Sequence, residues 1–154
     1  MTILEKLHRL GEALPPAPPP GGNYLPFRKV GSLVFLAGAI SVRAGVVTTG
    51  KVGLDRSVEE GYEAAKLCVL NHLAVINAAF GSLEVVQQVV TVNGYVNSTP
   101  DFPDPPLVIN GASDLLVALF GEAGRHARAA VGVTTLPRTA LVEVQMTVEL
   151  VEGK

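Results

Sequence analysis

From Val142 to Leu150 the chain alternates without a break. Val142, Val144, Met146, Val148 and Leu150 are apolar, and Glu143, Gln145, Thr147 and Glu149 between them are polar. Successive side chains of a β-strand leave opposite faces of a sheet, so this is a strand with one face in a core and one outside it. A chain built around such a strand must supply something to cover the apolar face. The polar set points away from that cover, which places the Glu143 carboxylate on an open face.

The cover is legible as helices. Ser57 followed three residues later by Glu60 is a capping box, in which each side chain satisfies a free backbone N–H of the first turn. Ala65, Val69, Leu73, Ile76 and Phe80 then recur at threes and fours as a buried stripe, and Gly81 is placed to close the helix. Leu107 to Phe120 reads as a second helix ended by Gly121, and an amphipathic segment over residues 3–13 as an N-terminal one. The stretch "EVVQQVVTVNGYV" is a long strand of β-branched residues, and Leu33 to Leu36 and "GVVTTGKVG" are shorter ones.

This order predicts an α+β layer, with two helices packed on one face of a mixed sheet. A length of 154 residues suits one domain. Residues 1–14 form its N-terminal helix, 15–22 a stiff Pro/Gly-rich connector, and 23–151 the body; proline ends the helix because it lacks the N–H and clashes with the preceding turn. Two helices cover one face only, so the other meets water or a second subunit. Charged residues make up only 17% of the chain and mean hydropathy is +0.37, which favours self-association over a bare open face.

Several partner classes are disfavoured. A net charge of −2 and a pI near 5.9 do not suit a nucleic-acid binder, which needs a basic surface. No apolar run reads as long and charge-free enough to span a bilayer, and "MTILEKLHRL" is not a signal peptide, so a cytoplasmic location is expected. His8, His72 and His126 show no ligand spacing with cysteine or carboxylates, so no metal is expected. Cys68, the single cysteine, falls on the apolar side of its helix and reads as a buried, inert thiol.

In the strand before the last, Ala129, Val131 and Val133 form one set and Arg128, Ala130 and Gly132 the other. A hairpin closing between Thr135 and Leu136 would set Arg128 opposite Glu143 on the same open face. Two readings of that pair stand side by side. One is an exposed cross-strand ion pair worth at most ~1 kcal/mol. The other is a guanidinium with small neighbours, free to hold a carboxylate bidentately.

The segments "GNY" ending at Tyr24, "VFLAGAIS", "SVEEGYEAAKLCVLNHLAVINAAFGSLEVV", "VINGASDLL" and "ARAAVGVTTLPRTALVEVQ" resemble the YjgF/RidA proteins, the reactive intermediate (imine) deaminases, over about residues 20 to 150. The resemblance implies a chorismate-mutase-like fold and a homotrimer with small-ligand clefts between subunits. It implies hydrolysis of 2-imino or enamine acids to a 2-keto acid and ammonia, with no cofactor. Arg128 matches the family's carboxylate-binding arginine, and Glu143 the glutamate that positions water. Tyr24 matches a site tyrosine, Asn110 a site asparagine in the turn before the second helix, and Gly38 completes the ligand-binding set. The chain departs from the archetype at Ala37, where a serine is usual, at Ala130 for a cysteine, and at Gly132 for an acidic residue. Those departures leave the substrate open. They also keep a second reading in view, a protein that binds a small carboxylate such as a 2-keto acid without turning it over. An endoribonuclease is a third, which an acidic chain with unpaired histidines does not favour.

Overall fold

The computed structural model describes residues 1–154. Helix α1 covers Ile3–Arg9, with Thr2 and Glu5 forming a capping box at its start. Strands β1 (Phe27–Val30) and β2 (Leu33–Leu36) make an antiparallel hairpin, followed by the short β3 (Ala39–Ile40), β4 (Val42–Arg43) and β5 (Val46–Val47). Helix α2 (Val58–Phe80) has the expected Ser57–Glu60 capping box and ends at Gly81 in the left-handed conformation, φ 80°. Then come β6 (Val86–Asn97), α3 (Pro105–Phe120), β7 (Ala127–Val133) and β8 (Val142–Leu150). Helix α1 stops at Arg9, sooner than the apolar pattern suggests and ahead of the prolines: Gly11 takes the left-handed conformation, φ 77°, and the Glu12 N–H donates to the Leu7 carbonyl.

The main sheet runs β1-β2-β8-β6-β7, with β3 also pairing β8. It is mixed: β6 pairs β8 antiparallel and β7 parallel. The parallel pair requires a crossover, which α3 supplies. Val92 and Val96 of β6 and Val142, Val144, Met146 and Val148 of β8 are fully buried. They meet Val69, Leu73 and Ile76 of α2 and Ile109, Ala112 and Leu116 of α3 in one core. The alternation in β8 therefore reads true, and the α+β fold with both long helices on one face stands.

The expected β7–β8 hairpin does not form. Strand β6 lies between them, with Arg128 paired to Val92 and Glu143 to Tyr95. Residues 134–141 are long enough to cross the two strand spacings, ~10 Å, that a skipped neighbour requires. They pass over the end of β6, where the Asn97 N–H donates to the Leu141 carbonyl and Asn97 Nδ2 to that of Ala140. Residues 105–124, against the sequence expectation, are long and apolar enough to cross a membrane by composition. In the fold their Val108, Ile109, Ala112, Leu115, Leu116 and Leu119 are buried, so this is a core helix whose apolarity is spent on packing.

Candidate functional site

Glu143 lies where its strand position predicts. It shares the open face with Gln145, which accepts from Asn93 Nδ2 at 3.0 Å, and with Tyr95 opposite it on β6. The carboxylate is half-buried and has no hydrogen-bond partner within the chain. Burial raises its pKa above the ordinary carboxylate value. Gly38 backs against it: a Cβ built there would stand 2.5 Å from Glu143 Oε2. Any side chain at position 38 would push the carboxylate away.

A cleft of about 960 Å³ opens in front of Glu143, with Tyr24, Gly38, Ile40, His72 and Arg138 among its lining residues. The proline-rich connector forms one wall. Tyr24 is tied to that wall, since its hydroxyl accepts from the Gly21 N–H at 3.0 Å. Two residues of α2 form the floor. Asn71 Nδ2 donates to the carbonyls of Ile40 and Val42, at 3.2 and 2.8 Å, and so ties the short strands to the helix. His72 Nε2 lies 2.6 Å from the Val144 carbonyl, which can only accept, so Nε2 carries the proton and Nδ1 is left without a partner. Burial depresses the His72 pKa to about 4, and the ring is neutral. Arg138 sits at the rim in a left-handed conformation, φ 56° and ψ 27°, and its Nη2 donates to the Gly45 carbonyl at 3.3 Å.

Arg128 is not part of this cleft. Its strand position matches that of buried Val92, and its side chain leaves on the helix side of the sheet, opposite to the expected open face. Arg128 Nη1 donates to Asn110 Oδ1 at 2.8 Å and to Ser113 Oγ at 3.1 Å, both on α3. Asn110 is therefore in the second turn of the helix rather than in the turn before it. The alternation in β7 misleads because β7 is an edge strand. Its helix-facing set has to be small to let α3 approach, and its bulkier set, with Val131 45% exposed, faces outward. Gly132 is held small from another side, since a Cβ there would stand 2.7 Å from Ser98 Oγ, just past the end of β6, and 3.8 Å from Pro105 at the start of α3. Two strand spacings, ~10 Å, and the three-residue offset from Val92 to Tyr95, another ~10 Å along the strands, put the Cα atoms of Arg128 and Glu143 ~14 Å apart.

The structure thus gathers Tyr24, Gly38 and Glu143 in one place and Arg128 with Asn110 in another. Asn71, His72 and Arg138 were not singled out from the sequence. A polar Asn-His pair inside the apolar stretch "KLCVLNHLAV" is the signal that points to the first two, because a buried helix face holds such residues only with partners. Chemically, the first cluster offers a carboxylate able to accept a proton from water. The second offers a cation with donors to spare, because Nη1 has committed both its hydrogens and Nε and Nη2 have no partner. Cys68 is fully buried behind Glu143 and its thiol pKa is pushed up by burial, so it takes no part.

Comparison with known proteins places the chain in a family. Residues 5–150 match the family described as "YjgF/chorismate_mutase-like, putative endoribonuclease", a match that includes most of α1. Protein TCP17 of Trypanosoma cruzi is 43% identical over 150 residues, 96% of this chain and 94% of that protein. The 2-iminobutanoate/2-iminopropanoate deaminase of Dermatophagoides farinae is 30% identical over 133 residues, 85% of this chain and 88% of the relative. The crystal structure of Atu1372 from Agrobacterium tumefaciens, a protein of unknown function, superposes with a TM-score of 0.89 at 42% identity, covering 97% of this chain and 92% of that one.

Proposed function

This chain belongs to the YjgF/chorismate mutase-like family, and from that premise we propose that it hydrolyses reactive 2-imino acids to 2-keto acids and ammonia, in clefts completed between subunits of a homotrimer. The observation that carries the reading is the half-buried Glu143 carboxylate, unpartnered and facing a cleft with room for a small acid. Burial of a carboxylate costs free energy unless it is paired, and a site that meets this cost has a use for the group.

The chemistry asks little of the protein. An iminium carbon is already electrophilic, so water must be placed and deprotonated rather than replaced by a stronger nucleophile. Glu143 accepts a proton as the water oxygen bonds to the imine carbon. The same proton then passes to the nitrogen. The C–N bond breaks and ammonia leaves as Glu143 takes the remaining hydroxyl proton and the carbonyl forms. That second proton is released to the ammonia or to water. General-base help of this kind contributes typically ~10²–10⁴-fold. Arg128 binds the substrate carboxylate through its unused donors and fixes the imine carbon in line with that water.

Arg128 and Glu143 leave opposite faces of their own sheet, so one ligand touches both only where two subunits meet. Exposed Phe35 and Val131 on the open face supply apolar surface for such a contact. The relationship to an imine deaminase at 30% identity supports the reaction class. The test is imine hydrolysis, with imines generated in situ from several amino acids by an oxidase, comparing wild type with Arg128→Ala. Light scattering on the same samples should give a trimer. Turnover in wild type that is lost in Arg128→Ala supports the reading, and a stable monomer at micromolar concentration would sink it. Binding of 2-oxobutyrate by wild type with no turnover of any imine would favour a carboxylate-binding protein instead.

A further inference from the structure

We propose that Ser113 and His126 are positioning residues that lock the Arg128 guanidinium, leaving its Nε–Nη2 edge free for a carboxylate. The inference rests on the reading of Arg128 as the carboxylate anchor only for its consequence, not for its geometry.

The hydrogen-bond directions follow from one fixed point. His126 Nδ1 lies 2.7 Å from the Gly124 carbonyl, which only accepts, so Nδ1 carries a proton. The neutral ring then has a bare Nε2, and Ser113 Oγ at 2.9 Å must donate to it. Burial, with the charge of Arg128 adding to it, lowers the pKa of His126 and favours this neutral form. With its hydrogen committed, Ser113 presents only lone pairs, and Arg128 Nη1 donates to one of them at 3.1 Å. Asn110 Oδ1 takes the other Nη1 hydrogen at 2.8 Å. Both hydrogens of Nη1 are thus held, and rotation of the planar group is blocked. What remains is the edge that matches a carboxylate in two parallel hydrogen bonds.

Without His126 the Ser113 hydroxyl would be free to turn its hydrogen toward Nη1, and the lock would fail. A serine next to a neutral histidine also has the look of an activated nucleophile. Ser113 lies within helix α3, however, where backbone N–H groups are engaged in the helix and none is free to face a developing oxyanion. Three hydrogen bonds in series to Arg128 describe its surroundings more fully than a nucleophile would.

Nitrogen NMR of the full chain, without ligand, tests this directly. His126 should show a protonated Nδ1 and a bare Nε2. Arg128 should show two separate, slowly exchanging Nη signals, which merge in Ser113→Ala and in His126→Phe. His126→Gln, whose Oε1 can replace Nε2 as the acceptor, should keep them apart. Affinity for 2-oxobutyrate by calorimetry should fall about tenfold in Ser113→Ala and be largely restored by His126→Gln relative to His126→Phe. A proton on Nε2, or separate Nη signals that survive both Ser113→Ala and His126→Phe, would overturn the proposal. If wild type binds no keto acid and hydrolyses no imine while the Nη signals behave as described, the lock stands and the deaminase reading falls.

Discussion

Gly38 and Glu143 are in such close register that the missing side chain of one makes the position of the other: a Cβ on Gly38 would meet Oε2 at 2.5 Å. The carboxylate is the far end of a flexible chain and can move, whereas the backbone at position 38 is held beside β3. Gly38→Ala should therefore displace Glu143 without unfolding the protein. Turnover should fall at least tenfold while the melting temperature moves by only a few degrees. Unchanged turnover would show that Glu143 is not needed where it stands.

Glu143 itself has a directional prediction. Its pKa is raised by burial, and a general base works only when ionised. Turnover should fall as pH drops through that raised value, so the acid limb of the rate profile is shifted upward from where an ordinary carboxylate would put it. Glu143→Gln should keep affinity for 2-oxobutyrate within a few-fold and lose turnover at every pH. An acid limb that persists in Glu143→Gln would assign it to another group.

Arg128→Lys keeps the charge and removes the fork. A point charge cannot hold a planar carboxylate through two parallel bonds, so affinity should drop by roughly tenfold or more. Arg128 is exposed, and stability should change by about 1 kcal/mol or less. Equal affinity in calorimetry would make the arginine a tie between β7 and α3 and nothing more.

His72 predicts how the fold responds to acid. Its folded pKa of about 4 lies below the unfolded value of 6.5, so the native state takes up its proton later than the unfolded chain. The stability tied to a neutral His72 is complete above pH 6.5 and is lost as pH falls from there toward 4. The loss is roughly 3 kcal/mol at the lower end. Urea titrations at pH 7 and pH 4.5, for wild type and His72→Gln, should show a smaller acid-induced loss in the variant.

The parts of the fold set by local rules were legible in the sequence. Ser57 and Glu60 start α2, Gly81 ends it, and the alternation from Val142 to Leu150 places Glu143 on the open face. Strand pairing was not legible, because adjacency in the chain favours a hairpin and nothing in "TTLPRTAL" announces that β6 is inserted between its neighbours. The face of Arg128 failed for a related reason. On an edge strand beneath a close helix, smallness rather than apolarity marks the inner side, so Ala130 and Gly132 point inward and Val131 outward. The site residues taken from the family resemblance could be numbered but not grouped, since grouping depends on that pairing.

The insertion of β6 between β7 and β8 keeps Arg128 and Glu143 apart within a single chain. On the proposed reading each chain donates Arg128 to one neighbour's reaction and Glu143 to another's, and completes neither alone. Two defective chains should then rescue each other. Arg128→Ala and Glu143→Gln proteins, each inactive, should regain hydrolysis when unfolded together and reassembled. In an equal mixture about one site in four would unite an intact arginine with an intact glutamate from different parents. Silence in the mixture, with trimers confirmed, would mean that both groups are drawn from the same polypeptide.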